Sequence, residues 1–505
     1  MNNLNSTATA VFIFFFALVT VLGFVAAHWK SADLGDLHEW GLGGRRFGSW
    51  ITWFLIGGDL YTAYTVIAVP ALVYSVGAFG FFAVPYTIIV YPFMYIVFPR
   101  FWRVTHANGY MTAGDFVAGR YGNKWLELAI AFTGILATMP YIALQLVGIE
   151  KVISALGFHG EGYAAHIPLS VAFIILAVYT YRSGLRAPAM IAFVKDIMIY
   201  IFILAAIIII PRQLGGFGAI FDAAGEAFAK KGGATGLTLQ PGQIMPYVTL
   251  AIGSAMALLL YPHSVTGLLS AASTDTVKRN AAALPAYSLV LGLVALLGLM
   301  GYAAGLKLDN PQDVVPQLIL KSFPSWFAGF CFAAIAIGAL VPAAVMSIGA
   351  ANTFTRNIWK PFVNPAITGP EETVLAKIAS LLVKLGALVV ILAMPTQYAI
   401  DFQLLGGVWM IQCFPTIVFG LYTRWFDGRA LLAGWAAGML LGTWLAWGEK
   451  KWVPIHTVFD QFTAYNGLIA VVVNIAIALV LSAVLGSTAP DATRASDYTA
   501  EAVKT

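Results

Sequence analysis

Apolar runs of about twenty residues recur almost end to end along this chain, with short polar connections between them. Such a run is the length of one helix across the roughly 30 Å hydrocarbon core of a bilayer. Thirteen spans are expected, centred in 8–27, 49–75, 78–98, 126–155, 166–181, 187–211, 244–270, 281–305, 325–353, 378–394, 396–422, 430–447 and 466–486. With 60% of 505 residues hydrophobic and 10% charged, the chain has more apolar surface than a soluble core can bury. The fold class is therefore an all-α polytopic membrane protein. One transmembrane domain is expected over 1–486, and a polar, disordered tail over 487–505. The first run lacks a basic n-region and a cleavage site, so it reads as a retained helix.

The stretch TWFLIGGDLYTAYTVIAVPALVYS, residues 52–75, is a membrane helix that interrupts itself. Gly57 and Gly58 loosen it, Asp59 places a carboxyl group at bilayer depth, and Thr62, Thr65 and Pro70 follow. An interrupted helix is tolerated in hydrocarbon only where protein or a water-filled cavity satisfies the freed backbone groups. A carboxyl there is a functional-site hypothesis by default. Five spans later, residues 245–270 carry Gly253, Ser254 and then Pro262 with His263, a second expected interruption. Paired broken helices at matching positions of two halves point to an inverted-repeat secondary transporter with its site near the bilayer midplane.

Sixteen Lys and Arg fall in the loops of one side, among them Lys30, Arg45, Arg120, Arg356 and Arg424, against eight on the other, among them Lys450 and Lys451. The richer side is expected to be cytoplasmic, which puts the N-terminus outside and the C-terminus inside. The outer connection 212–243 carries a short amphipathic piece, IFDAAGEAFAKK, fit to cap an outer vestibule. The net charge of +5 forms no basic stripe, so no nucleic-acid partner is expected. Cys331 and Cys413 sit in apolar runs and read as buried free thiols, and no metal-ligand spacing accompanies them. No GxxxxGK[ST] loop is present for ATP. Scattered polar groups without nucleophile–base spacing argue against an enzyme.

Several stretches resemble the sodium:solute symporter family. These are PAAVMS at 342–347 followed by FTRNIWKPF, YPHSVTGLLSAASTDTVKRN at 261–280, YRSGLRAPAMIAFVKD at 181–196, and LGGVWMIQCFPTIVFGLYTRW at 405–425. The nearest likeness within the family is to bacterial monocarboxylate permeases for lactate, pyruvate, acetate or similar acids. The resemblance implies the leucine-transporter-type fold, a five-plus-five inverted repeat over 49–211 and 244–422 with an extra first helix and two further helices at 430–486. It also implies residence in a bacterial cytoplasmic membrane. Another small solute, such as an amino acid, urea, a sugar or a vitamin, is the alternative cargo. A sensor or channel on the same scaffold is a more distant one, since signalling members carry kinase domains that this chain lacks.

Carried over position by position, the family's sodium site takes the carbonyls of Gly58 and Tyr61, the carbonyl of Ala344 and the hydroxyl of Ser347. Two departures stand out. Ile348 replaces the usual second hydroxyl, and Lys195–Asp196 stands where relatives often carry Thr-Asp. In proton-using transporters of the same fold a lysine from this helix occupies the sodium position. Sodium and proton thus stay open as the coupling ion, with no other cofactor. Asp59 reads as a cation ligand or proton carrier, and Asp196 as a pairing or exit-path group. Around a carboxylate substrate the expected side chains are Tyr61, Thr62, Thr65, Tyr141, Gln145, Tyr261 and His263, with Tyr86, Tyr91 and Gln412 less central. For each tyrosine the alternative is plain packing. Lys384 is expected to snorkel toward the inner face. Oligomeric state is not legible.

Overall fold

The computed structural model describes residues 5–28, 33–59, 61–158, 167–233, 235–393, 399–448, 452–458, 462–486 and 490–499. Lys30, Lys450 and Lys451, counted in the charge bias, lie outside the described residues. The membrane helices are α1 (Ser6–Val25), α2 (Ser49–Gly58), α3 (Val69–Val76), α4 (Ala83–Ala107), α5 (Lys124–Ala155), α6 (Ile167–Ser183), α7 (Arg186–Gln213), α8 (Pro241–Leu258), α9 (Pro262–Leu269), α10 (Pro285–Ala303), α11 (Ser325–Phe354), α12 (Gly369–Ala393), α13 (Ala399–Met410), α14 (Gly428–Ala446) and α15 (Asn466–Leu485).

Among the described residues nine helices are long and apolar enough to cross a bilayer, or ten if α8 and α9, bent by 53°, form one span. The other three expected spans fall on the broken pair α2 and α3, on the 17-residue α6, and on α12, which carries Lys377 and Lys384.

Helix α11 is the axis of the bundle. Its most apolar window is wholly buried, and α1, α5, α7, α9 and α12 pack around it. The sequence of α11 explains the position. Ala and Gly recur along AAIAIGALVPAAVMSIGAA, and small residues let helix backbones approach closely where lipid provides no hydrophobic drive for helix association. At Gly349 an added Cβ would lie 2.7 Å from the backbone of Pro262 and His263. The contact presses the start of α9 directly onto α11. The large exposed side chains, such as Phe14, Ile96, Leu289, Trp444 and Val484, form the outer apolar surface that lipid would cover.

Both expected interruptions are present, one of them displaced. α2 ends at Gly58, a π-helical turn runs over Tyr64–Ala68, and α3 resumes with Pro70 in its first turn. In the second, α8 runs through Gly253 and Ser254 without a break, contrary to the sequence expectation. The chain opens only at Leu259–Tyr261 and re-enters helix at Pro262, whose fixed φ and missing N–H suit a first helical turn. Gly253 has another use, since the ring of Tyr465 occupies the space where its Cβ would lie.

Two segments differ from the picture of free loops and a free tail. Outside the bundle, a helix over Gly216–Lys231 packs on α10, and residue Gly236 bridges to Gly77 at the end of α3. Lys231 lies over the rings of Tyr74 and Tyr302, 5.4 Å from each centroid, and donates to the Tyr302 hydroxyl at 2.7 Å. The amphipathic piece is thus a helix, and the segment that follows it is latched to the end of α3. At the opposite end, residues 490–499 of the expected disordered tail are docked. Arg120 pairs with Asp491 at 2.9 Å, Asn108 donates to Asp497 at 3.0 Å, and Arg100 lies over the Tyr498 ring. The charges that make this stretch read as solvated are the ones that hold it, because buried Arg120 presents an unmatched guanidinium to it.

A short antiparallel hairpin, Ile455–Val458 with Phe462–Tyr465, precedes α15. It was not expected, and it delivers Tyr465 into the bundle.

Candidate functional site

The carbonyls freed at the first break meet a lysine. Lys195, completely buried on α7, donates from Nζ to the Gly58 carbonyl at 2.5 Å and the Tyr61 carbonyl at 3.4 Å, and pairs with Asp196 Oδ1 at 3.0 Å. Asp196 Oδ2 accepts from the Tyr287 hydroxyl at 2.7 Å, and the Tyr287 carbonyl accepts from the Tyr61 hydroxyl at 3.3 Å. An unwound backbone supplies carbonyl oxygens for a cation, and the ammonium takes two of them. A Cβ at Gly58 would approach Lys195 Nζ to 2.7 Å and push the ammonium off these carbonyls.

Ala344 and Ser347 form another hydrogen-bonded group, on α11. Ser347 Oγ donates to the Ala344 carbonyl at 2.8 Å and accepts from Ser380 Oγ at 3.2 Å, and Ser380 accepts from Lys384 Nζ at 2.8 Å. The sequence reading of Lys384 as a snorkelling residue is therefore corrected. Its side chain is 1% exposed, and it faces α11 because Ser380 and Lys384, one turn apart on α12, share the face that packs there.

On the far side of the break, Asp59 Oδ2 lies 3.3 Å from His263 Nε2. The two broken helices thus meet through one carboxylate and one imidazole. The His263 ring stands edge-on to Tyr141 and tilted against Tyr261, with centroids 5.5 and 5.3 Å away. These two tyrosines, with Tyr64, Tyr86 and Tyr465, line a cavity of about 30 Å³ that Ser254 and Gln403 also touch. That is room for about two waters, so a substrate requires the aromatic walls to separate. The Tyr261 hydroxyl and Gln403 Oε1 are buried and have no hydrogen-bond partner among the described residues. Buried polar atoms are ordinarily satisfied, and these two, on the cavity-lining Tyr261 and Gln403, are unfilled capacity for a polar ligand.

The other expected residues divide by what they hold. Gln145 Oε1 accepts from the Ala63 N–H at 2.9 Å and its amide donates to the Tyr141 carbonyl at 3.3 Å, so it caps the broken backbone and does not line the cavity. Thr62 Oγ1 accepts from Tyr64 N–H at 3.1 Å, turning the chain locally. Thr65 is buried in the π-helical turn. The Tyr61 ring packs against Tyr200 and Tyr287 on the Lys195 side, away from the cavity lining. Tyr91 accepts from Ser288, outside the lining. Gln412 is tied to Asn474 on α15 and the Gly467 carbonyl, a joint between the core and the last two helices. Sequence reading missed Tyr64, Ser254, Gln403 and Tyr465. Tyr64 lies beside the first break, and Ser254 was named only as part of the expected interruption. Tyr465 depends on the hairpin and carried no local signal. Among the described residues no group of three or more His, Cys, Asp or Glu is placed to hold a metal. Cys331 and Cys413 are both free and buried.

Two broken helices meeting at a small aromatic cavity, with a cation lodged on the freed carbonyls of one, define a secondary transporter of the broken-helix type. Residues 40–442 match the model of the sodium:solute symporter family, and the chain belongs to that family. It is 58% identical over 492 residues to a monocarboxylate transport permease protein of Rhizobium johnstonii, covering 97% of this chain and 99% of the relative. It is 31% identical to the uncharacterised symporter YodF of Bacillus subtilis, over 93% of each chain. A Na+-coupled sialic acid symporter solved in a substrate-bound outward-open state superposes with a TM-score of 0.75 at 14% identity, covering 95% of this chain and 98% of that one. The fold is the leucine-transporter type, and the chain is a multi-pass membrane protein and cation-coupled symporter.

Proposed function

We propose that the protein imports a small monocarboxylate, such as lactate, pyruvate or acetate, together with a proton, and that the Lys195 ammonium stands in the position where the family binds its coupling sodium. The observation that carries the ion assignment is the placement of Lys195 Nζ on the Gly58 and Tyr61 carbonyls. The cargo rests on the name of the Rhizobium relative, and a small aromatic cavity with unfilled polar capacity suits it. Asp59, bridging to His263 between the two breaks, is the group that couples the cavity to the ion side. The larger count of basic loop residues supports a bacterial cytoplasmic membrane orientation with the N-terminus outside.

The test is uptake of labelled lactate, pyruvate and acetate into proteoliposomes under an inward proton gradient or an inward sodium gradient, with protein-free liposomes as the leak control. Wild type should accumulate acid under the proton gradient at constant sodium, and Lys195→Ala should lose that coupling. Sodium-driven uptake at fixed pH would overturn the ion assignment. Failure of the whole acid panel, with uptake of an amino acid or urea, would overturn the cargo. One proton with one monocarboxylate carries no net charge. Each uncompensated charge would be worth about 2.3 kcal/mol per 100 mV, so uptake should not change when a potassium diffusion potential is imposed.

A further inference from the structure

We propose that Lys384 is a second determinant of the coupling ion: acting through Ser380, it holds the Ser347 hydroxyl on the Ala344 carbonyl and so leaves that pair of oxygens a single free lone pair for any metal cation. The inference rests on the proposed cation position at Gly58, Tyr61, Ala344 and Ser347.

Lys384 is 1% exposed on α12 at membrane depth, and among the described residues no carboxylate pairs with it. A charged or polar group of this kind is rare in a span and marks function more often than packing. Its one hydrogen bond among the described residues is to Ser380 Oγ, at 2.8 Å. Because Nζ donates to Ser380 Oγ, the Ser380 proton is left to pass onward. Ser380 accepts from Lys384 and donates to Ser347 Oγ at 3.2 Å, and Ser347 donates to the Ala344 carbonyl at 2.8 Å. That carbonyl also accepts the ordinary helical N–H of the residue four further on, so both of its lone pairs are engaged. Ser347 retains a single lone pair, and Ile348 supplies no second hydroxyl.

The cation position is thus closed from two sides by two separate lysines. Lys195 fills the carbonyls of the broken helix and is compensated by Asp196, while Lys384 closes the α11 side without touching the cation position itself. Lys384 is a positioning residue for ion selectivity. Replacing only Lys195 would free two carbonyls and leave the opposing oxygens committed.

The experiment measures equilibrium binding of radiosodium and the sodium-dependent shift in melting temperature, against choline chloride at equal ionic strength, for full-length protein in nanodiscs. The variants are Lys195→Thr, Lys384→Met, Ser380→Ala and the doubles of Lys195→Thr with each of the other two, all checked for monodispersity. Groups that orient a metal's ligands typically alter its affinity by about tenfold to a hundredfold. Both doubles should therefore bind sodium about tenfold or more tighter than Lys195→Thr alone, with a matching rise in melting temperature. Ser380→Ala keeps the lysine and cuts only the relay, so its agreement with Lys384→Met separates relay from charge. Equal sodium affinity of Lys195→Thr and both doubles overturns the proposal, as does absence of sodium binding in folded doubles. Sodium binding by wild type would instead overturn the assignment of Lys195. The single variant Lys384→Met then decides this proposal, by tightening sodium about tenfold or leaving it unchanged.

Discussion

At the residue scale, the informative groups are buried polar atoms with work left to do. The Tyr261 hydroxyl has no partner among the described residues, although the ring is buried between Tyr141 and His263. Removing an unsatisfied buried hydroxyl relieves a desolvation penalty, whereas removing a ligand contact loses about 1 kcal/mol or more. Tyr261→Phe should therefore leave the melting temperature unchanged or raised while KM for the acid rises about fivefold to tenfold. A fall in stability with KM unchanged would make the tyrosine a packing residue. Asp59→Asn keeps the shape and removes the charge facing His263. An interaction with a charged group is worth about 1.5–3 kcal/mol, so transport should drop about tenfold to a hundredfold with the protein still monodisperse. The sequence made Asp59, Lys195 and His263 conspicuous, because a charge or an imidazole in an apolar run is costly to insert and rarely persists without a use. It misplaced Lys384, since one lysine in SLLVKLGALVV says nothing about whether its face meets lipid or α11.

At the element scale, the breaks survive because side chains from unbroken helices satisfy them. Gln145 on α5 takes the Ala63 N–H, and Lys195 on α7 takes the Gly58 and Tyr61 carbonyls. A buried donor left unpaired costs about 1–3 kcal/mol. Gln145→Leu, similar in volume, should destabilise the protein by that amount, and hydrogen exchange should accelerate at the Ala63 amide before it does in α11. The FTRN segment has a comparable task at the basic end. Asn357 accepts from Thr112 at 2.7 Å and donates to Asp115 and Glu127 at 2.8 and 2.9 Å, joining the end of α11 to the start of α5. Which helices were broken could be read from Gly, Pro and a misplaced charge. Where the second break falls could not. Gly253 loosens α8 but is consumed by the Tyr465 ring, and the missing donor of Pro262 sets the real boundary.

At the scale of the whole molecule, both ends of the bundle are strapped. The helix Gly216–Lys231 is held by Lys231 between Tyr74 and Tyr302, and residues 490–499 tie the end of α4, the helix Ala113–Tyr121 and the segment after Tyr422 together through Asn108, Arg120 and Arg424. Alternating access moves one part of such a bundle against the other, so straps across an end set the cost of opening it. Deleting 487–505 removes the partner of buried Arg120, and the protein should lose about 1–3 kcal/mol of thermal stability, seen as a lower melting temperature in detergent. An unchanged melting temperature would make the docked segment energetically idle. The sequence by itself determined the membrane, the helical class, the paired interruptions and the family, because bilayer thickness and the need to satisfy every backbone group leave little choice once the apolar runs and their breaks are written. Only the tertiary structure decided which oxygens are taken and which left free. Lys195 and Lys384 are far apart in the chain and share no motif, and their hydrogen bonds to the broken helix and toward α11 arise from how α7 and α12 pack around that central helix.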